Sequence, residues 1–240
     1  MKGPFFRARA LSAAGIPKID AHVHTNLTDG ASSFEAYARR ARDLDLEAIA
    51  FTEHTDDNSM WYDDYLALRP RIQDIAAPTK VYFGAEVKLA DPSGALSLGQ
   101  DRIRQLDFIV GVLHRYPDGD GGYVSLESLS PAEAQELDYT LSKALLTNPL
   151  VDVWGHPGGV YAKYFGAYRE SWLRELVALA VKEGKVVEIN TNARYRSVFK
   201  VVLEECLARD CLVSLGSDAH HVAELGEAPR FLEQSRREHS

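Results

Sequence analysis

Seven short runs rich in β-branched and aromatic residues punctuate the chain, and the stretches between them carry helical spacing; no other feature restricts the fold as much. The runs are "KIDAHVHT" (18–25), "EAIAFTEH" (47–54), "VYFGAEVKL" (81–89), "LDFIVGVLHR" (106–115), "VDVWGHP" (151–157), "KVVEINTN" (185–192) and "LVSLGSDAH" (212–220). Strand and helix in alternation build βα units around a parallel sheet. The helices have recognisable ends. Ser32 and Glu35 read as a capping box, and Ser130, Pro131 and Glu133 set a cap, an N1 proline and an N3 acid in order. From Trp172 through Leu176 to Leu179 and Ala180 the apolar spacing is helical, with Gly184 placed to stop it.

Seven strands could form an open doubly wound sheet or a closed barrel, and 240 residues is a usual size for one α/β barrel. Alternate residues favour the barrel. Ala48, Ala50 and Thr52 share a face with His54, Phe108, Val110 and Val112 one with His114, and Ser214 and Gly216 one with Asp218 and His220. Modest side chains fill the strands while polar ones collect at their C-terminal ends, the pattern of a packed barrel with its site on that rim. No G-x-G-x-x-G turn supports a dinucleotide fold.

Six of the eight histidines fall at the C-terminal end of a strand: His22, His24, His54, His114, His156 and His220; only His221 and His239 lie elsewhere. Glu86 closes the third run, Asp218 precedes His220 by two, and Asp29 follows His24 in the first loop. In an unbroken strand Asp20, His22 and His24 share one face and Ile19, Ala21 and Val23 the other. Six imidazoles and three carboxylates converging on one rim would repel or stay unpaired without cations between them. Nitrogen with carboxylate suits zinc, manganese or iron rather than calcium, and nine ligands suffice for two or three such ions.

The strings "DAHVHT", "TEH", "GAE", "GHP" and "SDAH", in this order, resemble the polymerase-and-histidinol-phosphatase (PHP) superfamily of metal-dependent phosphoesterases, over roughly Lys18 to Leu225. The resemblance implies a distorted (β/α)7 barrel with a trinuclear centre at the C-terminal ends of its strands. One ion would be held by His22, His24, Glu86 and Asp218, a second by Glu86, His114 and His156, and a third by Asp29, His54 and His220, with Glu86 bridging. Asp218 and His220 become the candidate catalytic residues, and Asp20 is read as a partner orienting a histidine ring. The implied activity is hydrolysis of a small phosphomonoester, as by histidinol-phosphate phosphatase, through a metal-activated hydroxide. Remaining phosphoryl charge should meet arginine, for which Arg115 and Arg194 are the candidates.

Net charge separates the rival functions. At −8 the chain is a poor general polyanion binder, so a nuclease or phosphodiesterase of the same superfamily, and a nonenzymatic metal-bound PHP module, rank behind a small-substrate enzyme. An amidohydrolase-type barrel also opens with H-x-H but usually wants eight strands and a bridging lysine. Cys206 and Cys211, the only cysteines, have no disulfide framework around them, which points to a reducing cytoplasmic compartment. No run approaches the roughly 20 apolar residues that span a bilayer. Residues 1–17, basic and without an acid, are expected to be an N-terminal extension to a barrel domain at 18–240. Aromatics of the rim loops, Trp61, Tyr62, Tyr116, Tyr123, Tyr161 and Tyr164, could wall a substrate pocket or merely cover the barrel.

Overall fold

A computed structural model describes residues 2–13 and 15–238, so His239 lies outside the described residues. Its strands are β1 (Phe6–Arg7), β2 (Ile19–Val23), β3 (Ala48–Phe51), β4 (Lys80–Phe83), β5 (Ala85–Lys88), β6 (Ile109–Val112), β7 (Val153–Trp154), β8 (Val186–Asn190) and β9 (Leu212–Gly216). They form a six-stranded sheet in the order β1-β9-β8-β7-β6-β5 and a three-stranded sheet β2-β3-β4. Every pair is parallel except β1 with β9. β4 and β5 are one run broken at Gly84, where a Cβ would lie 2.9 Å from the Phe108 carbonyl oxygen. Single parallel bridges, His54 to Glu86 and Val23 to Ala219, join the two sheets on either side, so seven parallel segments surround a distorted (β/α)7 barrel.

Part of the distortion comes from β1. Phe6 and Arg7 pair with Val213 and Leu212, occupying the lower edge of β9, while β2 meets the β9 run only above its end, at Ala219. Beside them Phe5 packs edge-on against Phe108, with ring centroids 5.1 Å apart.

Inside the barrel, Ile19, Ala21, Ala48, Ala50, Phe108 and Val110 belong to one buried cluster below the polar rim. Burying each large apolar side chain contributes about 1.5–3 kcal/mol. The helix Phe34–Asp43 lays Phe34, Tyr37, Ala38 and Ala41 against Ile49 and Phe51 on the outer face of β3. Its cap is Ser33, not Ser32: Ser33 accepts the Ala36 N–H, Ser32 Oγ accepts the Val222 N–H, and Glu35 pairs with Arg71 at 2.8 Å. The helix Pro131–Thr147 carries the full capping box of Ser130 and Glu133, and Glu170–Lys182 ends just before Gly184, which has φ +68°.

β2 departs from simple alternation. Asp20 pairs with Ile49 and Val23 with Phe51, so three steps on β2 match two on β3. The extra residue is a bulge that turns both Ala21 and His22 inward opposite Ala50. Asp20 therefore faces away from the His22 ring, its carboxylate accepting the Ser217 N–H (3.0 Å), the Ser217 hydroxyl (2.6 Å) and the Gly226 N–H (2.9 Å). It staples β9 to the start of the last helix and orients no histidine ring. Burial pushes its carboxyl up to about 6 against those bonds.

Cys206 and Cys211 are free and buried, the Cys211 N–H closing onto the Cys206 carbonyl where Asp210 turns the chain at φ +49°. No helix among the described residues is long and apolar enough to cross a membrane.

Candidate metal centre

His22 and Glu86 lie within β2 and β5; the other candidates sit just past strand ends, where the backbone leaves the sheet and side chains can turn over the barrel mouth. Two of them hold left-handed backbone, His156 at φ +26° and Asp218 at φ +55°, a conformation that non-glycine residues adopt only when their surroundings enforce it.

Five of the other eight candidates, all histidines, converge on Glu86, which is 97% buried. Its Oε1 lies 3.0 Å from His156 Nε2, 3.2 Å from His114 Nε2 and 3.4 Å from His22 Nε2; its Oε2 lies 2.6 Å from His54 Nδ1 and 3.6 Å from His24 Nε2. The approach of His54 lacks hydrogen-bond alignment, and Glu86 Oε2 is buried without a hydrogen-bond partner, as is His24 Nδ1. The Nε2 atoms of His22 and His24 face each other at 3.1 Å, and Asp218 Oδ1 lies 3.4 Å from His24 Nε2. On the open side Asp29 Oδ2 sits 3.2 Å from His54 Nε2 and 3.3 Å from His220 Nε2.

Three groups of donors lie close enough to share an ion: His22, His24 and Asp218; His54, Glu86 and His114; and His24, Asp29, His54 and His220. They overlap the three ligand sets implied by the sequence resemblance, with His24 and His54 each reaching a second group and His156 meeting the cluster only through Glu86. Lone pairs facing one another around an orphaned buried carboxylate oxygen fit cations held between them.

The electrostatics say the same. Burial drives His24 down to about 4, a neutral ring with lone pairs to offer. Burial opposes the charged forms of Glu86 and Asp218 too, yet His114 and His22 hold Glu86 well below the usual carboxylate range, and His24 and His22 hold Asp218 at about 2. His54 rises to about 9 despite burial because Glu86 and Asp29 face it. Without another cation, the imidazoles must carry the positive charge.

Three supporting residues escaped the sequence reading. Glu188, inward on β8, accepts from His22 Nδ1 at 2.6 Å and from the His156 N–H at 2.5 Å, leaving His22 Nε2 as the free donor. Its signal was present: Val186, Glu188 and Asn190 alternate on one strand face. Tyr195 stacks on His156, centroids 4.9 Å apart. Glu53 accepts the Thr25 N–H and the Thr28 hydroxyl, bracing the loop that carries Asp29. His220 Nδ1 donates to the Asp218 carbonyl at 2.9 Å, which turns Nε2 toward Asp29. His221 caps the turn Val222–Glu224.

Neither candidate arginine enters the cluster. Arg115 lies over the Tyr123 ring at 5.4 Å, and Arg194 is exposed in the turn after β8. The rim aromatics mostly cover the barrel: Tyr62 and Tyr116 are buried, donating to the Arg102 carbonyl and to Asp138, and Tyr161 is buried beside Tyr168.

A parallel α/β barrel whose C-terminal mouth gathers histidines and carboxylates defines the class, that of barrels built to hold several metal ions. The chain belongs to the PHP domain family, whose model matches residues 20–192. It is 25% identical over 222 residues to a probable phosphatase of Caldicellulosiruptor bescii, covering 87% of this chain and 82% of that one. A probable phosphatase of Thermoanaerobacter sp. is 28% identical over 229 residues, covering 89% and 83%. The fold matches that of a histidinol phosphate phosphatase from Lactococcus lactis, complexed with zinc, L-histidinol and phosphate, with a TM-score of 0.71, 18% identity and 91% and 93% of the two chains covered.

Proposed function

We propose that the protein is a metal-dependent phosphatase that hydrolyses a small phosphomonoester of the histidinol-phosphate kind, with two or three zinc, manganese or iron ions held on the barrel rim. The observation that carries this is Glu86: a buried carboxylate ringed by five imidazoles, one oxygen unsatisfied. Zinc and phosphate in the Lactococcus protein support the reading. The ions would supply Lewis acidity, neutralising phosphoryl charge and lowering the pKa of water.

The chain's own residues do the rest. His22, His24, Glu86, His156 and Asp218 would hold the buried side, and Asp29, His54, His114 and His220, all partly exposed, the open side, with Glu86 shared. Glu188 fixes the His22 tautomer. Asp218 and His220 remain the candidate catalytic residues, and Arg115 and Arg194, exposed and outside the cluster, the candidates to meet substrate as it enters. Residues 1–17 act as an extension clasped to a barrel domain at 18–240 through β1, and the free thiols suit the cytoplasm.

Side-by-side turnover of histidinol phosphate, sugar phosphates and single-stranded DNA, with each metal supplied in turn, tests the reading. Monoesters should be preferred by at least about tenfold. Preferred cleavage of DNA, weakening as salt rises, would replace the phosphatase by a nuclease.

A further inference from the structure

Lys88 lies two residues beyond Glu86 in β5, so the two share one face of the strand. That face opens on a cavity of about 220 Å³ lined by Lys88, Glu86, His54, His114, Thr55 and Asp56. Lys88 is half-buried, and among the described residues no ion pair, hydrogen bond or ring engages its ammonium. The contrast with Lys185 is direct: that ammonium is tied to the Asn148 and Val151 carbonyls at 2.6 and 2.8 Å. Asp56 does not neutralise Lys88 either, since its Oδ1 accepts from the Asn58 N–H and the Ser59 hydroxyl of its own loop, and it forms no ion pair with the lysine. A partly desolvated ammonium without a counter-ion, beside a cluster built for cations, is costly unless an anion occupies the space before it.

We propose that Lys88 is the anion receptor of this cavity and binds the phosphoryl group of the substrate, a compact phosphomonoester whose phosphate fits between the lysine and the Glu86 histidines. The assignment rests on the phosphatase reading and adds a residue to it. Lysine suits the task as a point charge on a flexible stem that reaches an oxygen without demanding a bidentate plane. The two arginines of the rim do not line the cavity, which leaves Lys88 as its permanent cation. A contact made to bound substrate as well as to the transition state is uniform binding, so its loss appears in KM more than in kcat.

The test compares metal-loaded wild type, Lys88→Met and Lys88→Arg. Inorganic phosphate is titrated by calorimetry, metal content is measured by elemental analysis, and KM and kcat are read on histidinol phosphate and p-nitrophenyl phosphate. Lys88→Met should keep its metal and its Tm while the Kd for phosphate weakens roughly 10- to 100-fold, the loss expected for a charge-assisted hydrogen bond. Its KM should rise by a similar factor, and Lys88→Arg should recover most of both. Phosphate binding unchanged in Lys88→Met, affinity lost only together with metal, or no phosphate bound by wild type would each overturn the proposal. If wild type turns over no monoester and Lys88→Met still loses phosphate, the anion receptor stands and the phosphatase reading falls.

Discussion

Glu188 shows how one side chain can govern a site it does not belong to. Its two oxygens hold the His22 ring and the His156 backbone, so it sets both a tautomer and the strained turn at φ +26°. Glu188→Gln preserves shape and one acceptor but loses the charge that faces His22 Nδ1 at 2.6 Å and holds the proton there. Metal affinity in this variant should fall about 10- to 100-fold, as is usual when the partner of a ligating histidine is replaced. Competition against a chelator of known affinity measures it, and unchanged affinity would reduce Glu188 to a strut. Asp20 took the same role on parity alone; a bulge one residue long moved it to the opposite face, where it serves Ser217 and Gly226 instead.

β9 passes so close to β2 and β8 that only glycine fits at its end. A Cβ on Gly216 would lie 2.7 Å from His22 Cβ and overlap Glu188 Oε1. Gly216→Ala should therefore cost about 1–3 kcal/mol of stability by overpacking and also loosen the His22–Glu188 pair. Denaturant unfolding and metal content should fall together. Ser214→Ala, one step deeper on the same strand face, is the control and should leave metal content alone. If Gly216→Ala lost stability with full metal retention, the close packing would be serving the barrel rather than the site. The strand runs themselves were legible because period-two alternation is a local property; β1 was not, because two residues of an edge strand carry no such signal.

The cluster sets the balance of the folded molecule. Five imidazoles gathered around one buried carboxylate are stabilised by ions that bind the folded chain and not the unfolded one, with a gain of about 4 kcal/mol at a thousandfold excess over Kd. For a chain of this size each kcal/mol moves Tm by about 2–4 °C. Chelation should then lower Tm by on the order of 10 °C in scanning calorimetry, and zinc, manganese or iron should restore it. A Tm indifferent to chelator and to added metal would mean that protonated histidines satisfy Glu86 without help.

The order of strands and helices, the barrel mouth as the place of the site and the nine side chains that meet there were all readable along the chain, because each depends on periodicity and on the residue types just past a strand end. The choice of partners was not. Which way Asp20 points depends on a register shift against β3, and which acid serves His22 depends on β8 lying across the barrel from β2. That no described residue pairs with the Lys88 ammonium depends on where the Asp56 loop turns its carboxylate. Register and distance between remote segments arise only when the barrel closes, since alternation along a strand says that two residues share a face but not what stands opposite them.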